Sequence, residues 1–124
     1  MQDQLETLAR QHGYPPKALH EIQLAVEELL TNILNYAFTD QREHEIRVCL
    51  RPDESQFEIE VADDGRPFNP LEHPAPDLSL PLERRPVGGL GIHMIRKSMD
   101  RIDYRRTDGK NILVMAKQIK SPIP

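Results

Sequence analysis

With a single cysteine, Cys49, the chain cannot close an intrachain disulfide, and it reads as a cytoplasmic protein rather than a disulfide-stapled one. It also lacks a basic excess. Its formal net charge of −4 removes the electrostatic case for nucleic acid or an anionic membrane as partner. No apolar run approaches the roughly twenty residues of a membrane span, and the opening MQDQLETLARQ has no signal-peptide core. The histidines, at positions 12, 20, 44, 73 and 93, show no close metal-ligand spacing, so a zinc site is not expected. Apolar residues make up only 38% of the 124, enough for one compact domain with a modest core and much surface.

What is present is a sequence of clear periods. Leu5, Leu8 and Ala9 recur at helical spacing, with Gly13 as a stop. YPPKALHEIQLAVEELLTNILNYAF then opens with prolines suited to a first turn and predicts a helix of more than about twenty residues. The period changes to two at Ile46, Val48 and Leu50, and again at Phe57, Ile59 and Val61, with RPDESQ between them: an antiparallel hairpin. A loop of about twenty residues follows, carrying Pro67, Pro70, Pro74, Pro76, Pro81 and Pro86, long enough to suggest a functional lid over about residues 66–87. GGLGIHMIRKSMD restarts a helix with Leu90, Met94, Ile95 and Met99 inward, and two further strands meet around Asp108-Gly109. Strand pairs alternating with helices predict an α+β fold: a two-layer sandwich, helices on one face of a mixed or antiparallel sheet, in one domain spanning residues 1–124.

Three places carry chemistry-bearing residues. On a wheel of about 100° per residue, Ile22, Val26, Leu29 and Ile33 form a core stripe and Glu27 points away from it. Glu28, Asn32 and Asn35 form a row on the flank where core meets surface, suited to a half-shielded base and an amide facing a ligand, or simply to a polar helix edge. In VADDGRPFNP, Asp63 and Gly65 stand where a strand runs out. A carboxylate there can accept from an exocyclic amine, and the glycine lets a base approach, though Asp-Gly also makes ordinary turns. In VGGLGIHMIRK, glycines open a helix whose free N–H groups suit phosphate oxygens, or serve only as a hinge. Neither a dinucleotide fingerprint in a βαβ unit nor a P-loop is present.

Taken in order, E-x-x-x-N on a helix, D-x-G at a strand end, a long lid and G-x-G opening the next helix resemble the ATP-binding fold of gyrase, heat-shock chaperones, histidine kinases and mismatch-repair ATPases, the GHKL or Bergerat fold. The resemblance runs from about Lys17 to Lys117, and AVEELLTNILNYAF, DDGRPFNP and GGLGIHMIRKSMDRIDYRRTDGKNIL look most like the small anti-sigma-factor serine/threonine kinases. It implies ATP and Mg²⁺ as cofactors, with Glu28 as general base, Asn32 holding Mg²⁺, and Asn35 near the same ion or the ribose. It implies that Asp63 accepts from the adenine amine with clearance from Gly65, and that Gly88, Gly89, Leu90 and Gly91 cradle the phosphates. Arg84 or Arg85 would reach the terminal phosphate. Phosphoryl transfer in such a site rests on positioning and charge neutralisation.

The chain departs from that pattern at Pro67, where many relatives have a second glycine, and at Tyr36, where histidine is frequent. It also begins at a helix where relatives have an edge strand, which implies one strand fewer or a piece of a longer chain, with exposed ladder groups for a partner or a second copy to cover. The resemblance implies a protein client, a sigma factor or an anti-sigma-factor antagonist, and admits a homodimer. Two alternatives stand beside the kinase: a nucleotide-dependent binding switch with little phosphotransfer, and the catalytic half of a histidine kinase. The second would need an aromatic-bearing box that PLEHPAPDLSLPLERRPV does not contain.

Overall fold

The computed structural model describes residues 2–38, 40, 42–72 and 95–119. Helix α1, Gln2–Gln11, buries Leu5 and Ala9 and ends at Gly13, whose φ of +68° is the left-handed turn only glycine adopts freely. Tyr14 follows and fixes the connection. Its hydroxyl donates to the Asp53 carbonyl at 2.7 Å and accepts from the Asp53 N–H at 3.0 Å, while its ring meets Phe57 edge-on. Helix α2, Pro16–Asn32, starts on extended Pro15 with Pro16 in its first turn, where a missing N–H costs nothing. Its stripe of Ala18, Ile22, Ala25, Val26 and Leu29 is buried, and the chain continues without a break into a π-helical turn, Ile33–Ala37. No described helix is long and apolar enough to cross a membrane.

Strands β1 (Ile46–Pro52), β2 (Gln56–Asp63), β3 (Arg101–Thr107) and β4 (Lys110–Gln118) form one sheet in the order β1-β2-β4-β3, every pairing antiparallel. The expected α+β two-layer architecture is therefore the observed one, and among the described strands the sheet is antiparallel rather than mixed. The β3–β4 turn has Asp108 and Gly109 both at positive φ, the two-residue geometry that matches strand twist. Registers place Val48, Val61, Leu113 and Tyr104 in one inward row and Leu50, Ile59, Met115 and Ile102 in the next. These rows pack under α1 and α2, with Ile95 and Met99 closing the core beside the helical turn 95–98. Leu90 and Met94, expected on the same inner side, lie outside the described residues.

The opposite sheet face is polar. Glu58 pairs with Arg51 and Arg101, and Glu60 with Arg51 and Arg105, a cross-strand lattice on half-exposed side chains. A third inward row, Ile46, Asp63, Asn111 and Arg106, lies at one end of the sheet. Three of its four members are polar, and the site is built there.

Candidate functional site

The C-terminal half of α2 lies over that end of the sheet. Asn32 is fully buried, deeper than the helix flank expected for it. Its Nδ2 donates to the Glu28 carbonyl at 2.7 Å, and its Oδ1 has no hydrogen-bond partner. It is the one buried side-chain polar atom among the described residues left in that state. Leaving such an oxygen unsatisfied costs about 1–3 kcal/mol. Glu28 is half-buried one turn earlier, whereas Glu27 is exposed and its carbonyl accepts from Thr31 Oγ1, so the outward glutamate and the site glutamate separate as expected.

Asn35 does not join them. It is exposed, because residues 33–37 wind as a π-helix, with Phe38 N–H reaching the Ile33 carbonyl, and this wider turn moves Asn35 off the row. Leu34 beside it is 58% exposed.

Across the cleft, Asp63 is buried at the end of β2. Its Oδ1 accepts from Gly65 N–H and from Asn111 Nδ2, both at 2.9 Å. Nothing donates to its Oδ2 among the described residues. Leu29 and Ile33 of α2, Val61 and Leu113 of the sheet, and Phe68 and Pro70 from the following loop enclose the space above it, which amounts to about 10 Å³. Among the described residues that space is smaller than a purine.

Gly65 has a use in the fold itself: a Cβ there would lie 2.6 Å from the Ala37 carbonyl oxygen at the end of the π-helical turn. The loop is stitched to that helix end: Arg66 N–H donates to Ala37 O at 3.0 Å and Arg66 Nε to Tyr36 O at 2.6 Å. From β3, Arg106 donates to the Gly65 carbonyl at 2.8 Å.

Reading the sequence missed two further parts. Asn111 is a buried hub, treated below. His44 stacks on Phe38 with ring centroids 4.3 Å apart and bridges two carboxylates, Asp40 Oδ1 through Nε2 at 2.5 Å and Asp64 Oδ1 through Nδ1 at 2.9 Å. Both ring nitrogens can donate only in the imidazolium. Hydrogen bonds donated to Asp40 and then to Asp64 raise the His44 pKa, and the same bonds lower those of both aspartates. The clamp ties the α2–β1 connection to the residue next to Asp63. Gly88, Gly89, Leu90, Gly91, Arg84 and Arg85 lie outside the described residues, as does the lid beyond Glu72.

A magnesium ion fits Asn32. The orphaned amide oxygen is a hard donor of the kind Mg²⁺ takes, one protein ligand among phosphate oxygens and water being its usual arrangement with nucleotides. No three His, Cys, Asp or Glu side chains among the described residues gather into a metal site of their own.

This arrangement has counterparts. Residues 1–117 match the family described as the histidine kinase-like ATPase domain. The chain is 29% identical over 111 residues to the serine/threonine-protein kinase BtrW of Bordetella bronchiseptica, covering 90% of this chain and 78% of that protein. It is 32% identical over 111 residues to the serine-protein kinase RsbW of Bacillus thuringiensis, covering 86% and 69%. The solved histidine kinase domain of the Erythrobacter litoralis EL346 blue-light-activated histidine kinase superposes with a TM-score of 0.61 at 18% identity. That match takes 93% of this chain but 57% of the other, so the chain spans little more than half of that structure and the likeness concerns the fold. By its family match, the chain belongs to the histidine kinase-like ATPase domain family.

Proposed function

We propose that this chain is a single ATP-binding domain that transfers a phosphoryl group from Mg–ATP to a serine or threonine of a small partner protein. The observation that carries the reading is the buried, partnerless Oδ1 of Asn32 one turn from the half-buried Glu28, under a helix that shares its cleft with Asp63. The similarity to BtrW and RsbW, both named as kinases of serine or threonine, supports the same chemistry, and the sequence motifs favour the anti-sigma-factor branch. The partner would then be a sigma factor or its antagonist.

In this reading Asp63 Oδ2 would accept a hydrogen bond from the exocyclic amine of the adenine, and Asn32 Oδ1 would be a ligand of the ion. Bound Mg²⁺ supplies charge neutralisation at the phosphates. Glu28 orients the partner's hydroxyl and holds its proton as the phosphoryl group leaves. The glycines 88, 89 and 91, with Leu90 between them and Arg85 before them, would complete the phosphate side.

The narrowness of the cleft favours one added property. A base that reaches Asp63 through this space would move Phe68 and Pro70, coupling occupancy to surface shape, as in a nucleotide-dependent binding switch. Labelled ATP and Mg²⁺, with candidate antagonist proteins, test the kinase directly: label on a partner serine or threonine is the expected result. Glu28→Ala should abolish transfer and keep ADP affinity. A wild-type protein that binds ADP but labels nothing would leave the switch in place of the kinase, and calorimetry showing no ADP uptake would overturn both.

A further inference from the structure

We infer that Asn111 is a positioning residue that sets how Asp63 reads a nucleotide base; the inference rests on the proposed nucleotide cleft. Asn111 faces Asp63 in the inward row of the sheet, and both side chains are 3% exposed. All four hydrogen-bonding capacities of its amide are used. Nδ2 donates to Asp63 Oδ1 at 2.9 Å and to the Arg66 carbonyl at 2.8 Å. Oδ1 accepts from Phe68 N–H at 3.1 Å and from the Tyr104 hydroxyl at 2.6 Å.

Two of these partners settle which way the amide points. The Arg66 carbonyl can only accept and the Phe68 N–H can only donate, so a flipped amide would set oxygen against oxygen and N–H against N–H. The NH₂ end is therefore held on Asp63 by bonds that do not involve Asp63. With Gly65 N–H on the same oxygen, Oδ1 receives two donors and is fully engaged.

The consequence is selectivity. Only Oδ2 is left for a ligand, and the carboxylate cannot rotate to offer Oδ1 without breaking two buried bonds. A fixed acceptor suits a base with an exocyclic amine and opposes one with a carbonyl at that place, because a site built for a hydrogen bond rejects the analogue that cannot complete it. Asn111 also holds the Phe68 N–H, so the residue that orients the reader also anchors the loop that closes the cleft.

The test is one-atom surgery. Asn111→Asp keeps the acceptor end facing Phe68 and Tyr104 and replaces the donor end by a second carboxylate against Asp63. Such a pair must share a proton. Calorimetry with ADP and GDP between about pH 6 and pH 8 should show the variant losing ADP affinity as pH rises, about tenfold or more, with the ADP:GDP preference shrinking, while wild type holds its preference. A purely structural role would lower the melting temperature and leave the preference and the pH profile unchanged. If Asn111→Asp does not fold, Tyr104→Phe removes the hydroxyl that bonds Asn111 Oδ1 and the Phe68 backbone, and its ADP:GDP preference should fall several-fold. An unchanged preference in whichever variant folds overturns the inference while leaving the cleft intact. A wild-type protein that takes up no ADP overturns the nucleotide reading itself, and the inference falls with it.

Discussion

Asn32 hangs from the backbone of Glu28: its Nδ2 reaches the Glu28 carbonyl at 2.7 Å, and that bond aims its own carbonyl away, buried and unpaired. Helix interiors seldom keep such a group, because the same volume of hydrocarbon would be cheaper to bury. The relationship makes the two residues a unit. Whatever moves the Glu28 backbone redirects the Asn32 oxygen.

Replacing Asn32 with Leu should therefore separate stability from function. The variant loses one local bond and an unsatisfied oxygen, so its unfolding free energy in urea should equal or exceed that of wild type, by up to about 1–3 kcal/mol. Mg²⁺-dependent enhancement of ADP binding should disappear. A variant that is less stable yet retains the magnesium effect would show that the oxygen has a protein partner in solution.

Gly65→Ala should act on the fold. The new Cβ would meet Ala37 O at 2.6 Å and Ala37 C and Cβ at 2.8 Å, so the loop and the helix end must part, and the Arg66–Ala37 bond must lengthen. Overpacking of this kind costs about 1–3 kcal/mol, readable in the denaturation midpoint. Adding Ala37→Gly removes only the methyl contact and leaves the carbonyl contact, so the double variant should recover little. Full recovery would place the strain in the side chain and contradict the backbone contact.

How much of this was legible in the sequence depends on whether a feature is local. Asp108-Gly109 announced its hairpin, and the alternation of Ile46, Val48 and Leu50 against Phe57, Ile59 and Val61 announced the other, because turn chemistry and period two are short-range properties. Glu28 fell apart from Glu27 on the wheel for the same reason. Asn35 was misplaced because a wheel of fixed pitch cannot register the π turn at Ile33–Ala37. Asn111 and His44 depend on long-range placement: one on the β2–β4 register, the other on a loop folding back to Asp64. A signal for Asn111 was present, since it shares the inward parity of Leu113 and Met115, yet it is polar. A polar residue at a core position of a strand asks for a partner, and the register supplies Asp63.

The His44 clamp predicts a pH dependence of known sign. Its pKa is raised in the folded protein by Asp40 and Asp64, so the stability it contributes is complete below the unfolded value of 6.5 and is lost as pH rises through the higher folded value. Asp40 and Asp64 are depressed below 3.8, and their contribution is present above that value and lost as pH falls through the lowered ones. The difference in melting temperature between wild type and His44→Gln should be largest near about pH 5–6 and shrink above about pH 7. A difference that grows with pH would mean that the ring is neutral in the fold. The clamp also bears on the site, because releasing Asp64 loosens the backbone next to Asp63.

Phe68→Trp gives a direct view of the cleft opening, since the chain has no other tryptophan. Phe68 lines the cavity of about 10 Å³ above Asp63, stacks on Tyr36 with centroids 5.3 Å apart, and is held by Asn111 through its N–H. An adenine ring reaching Asp63 through this cavity would displace it. The emission of the new indole should therefore shift and saturate as ADP and Mg²⁺ are added, with the same midpoint as the calorimetric isotherm. Overpacking by the larger ring raises the energy of the closed form, so ADP affinity should hold or rise, by up to about 1–3 kcal/mol. Tight ADP binding with a silent tryptophan would place the nucleotide elsewhere on the chain and would remove Asp63 from its role.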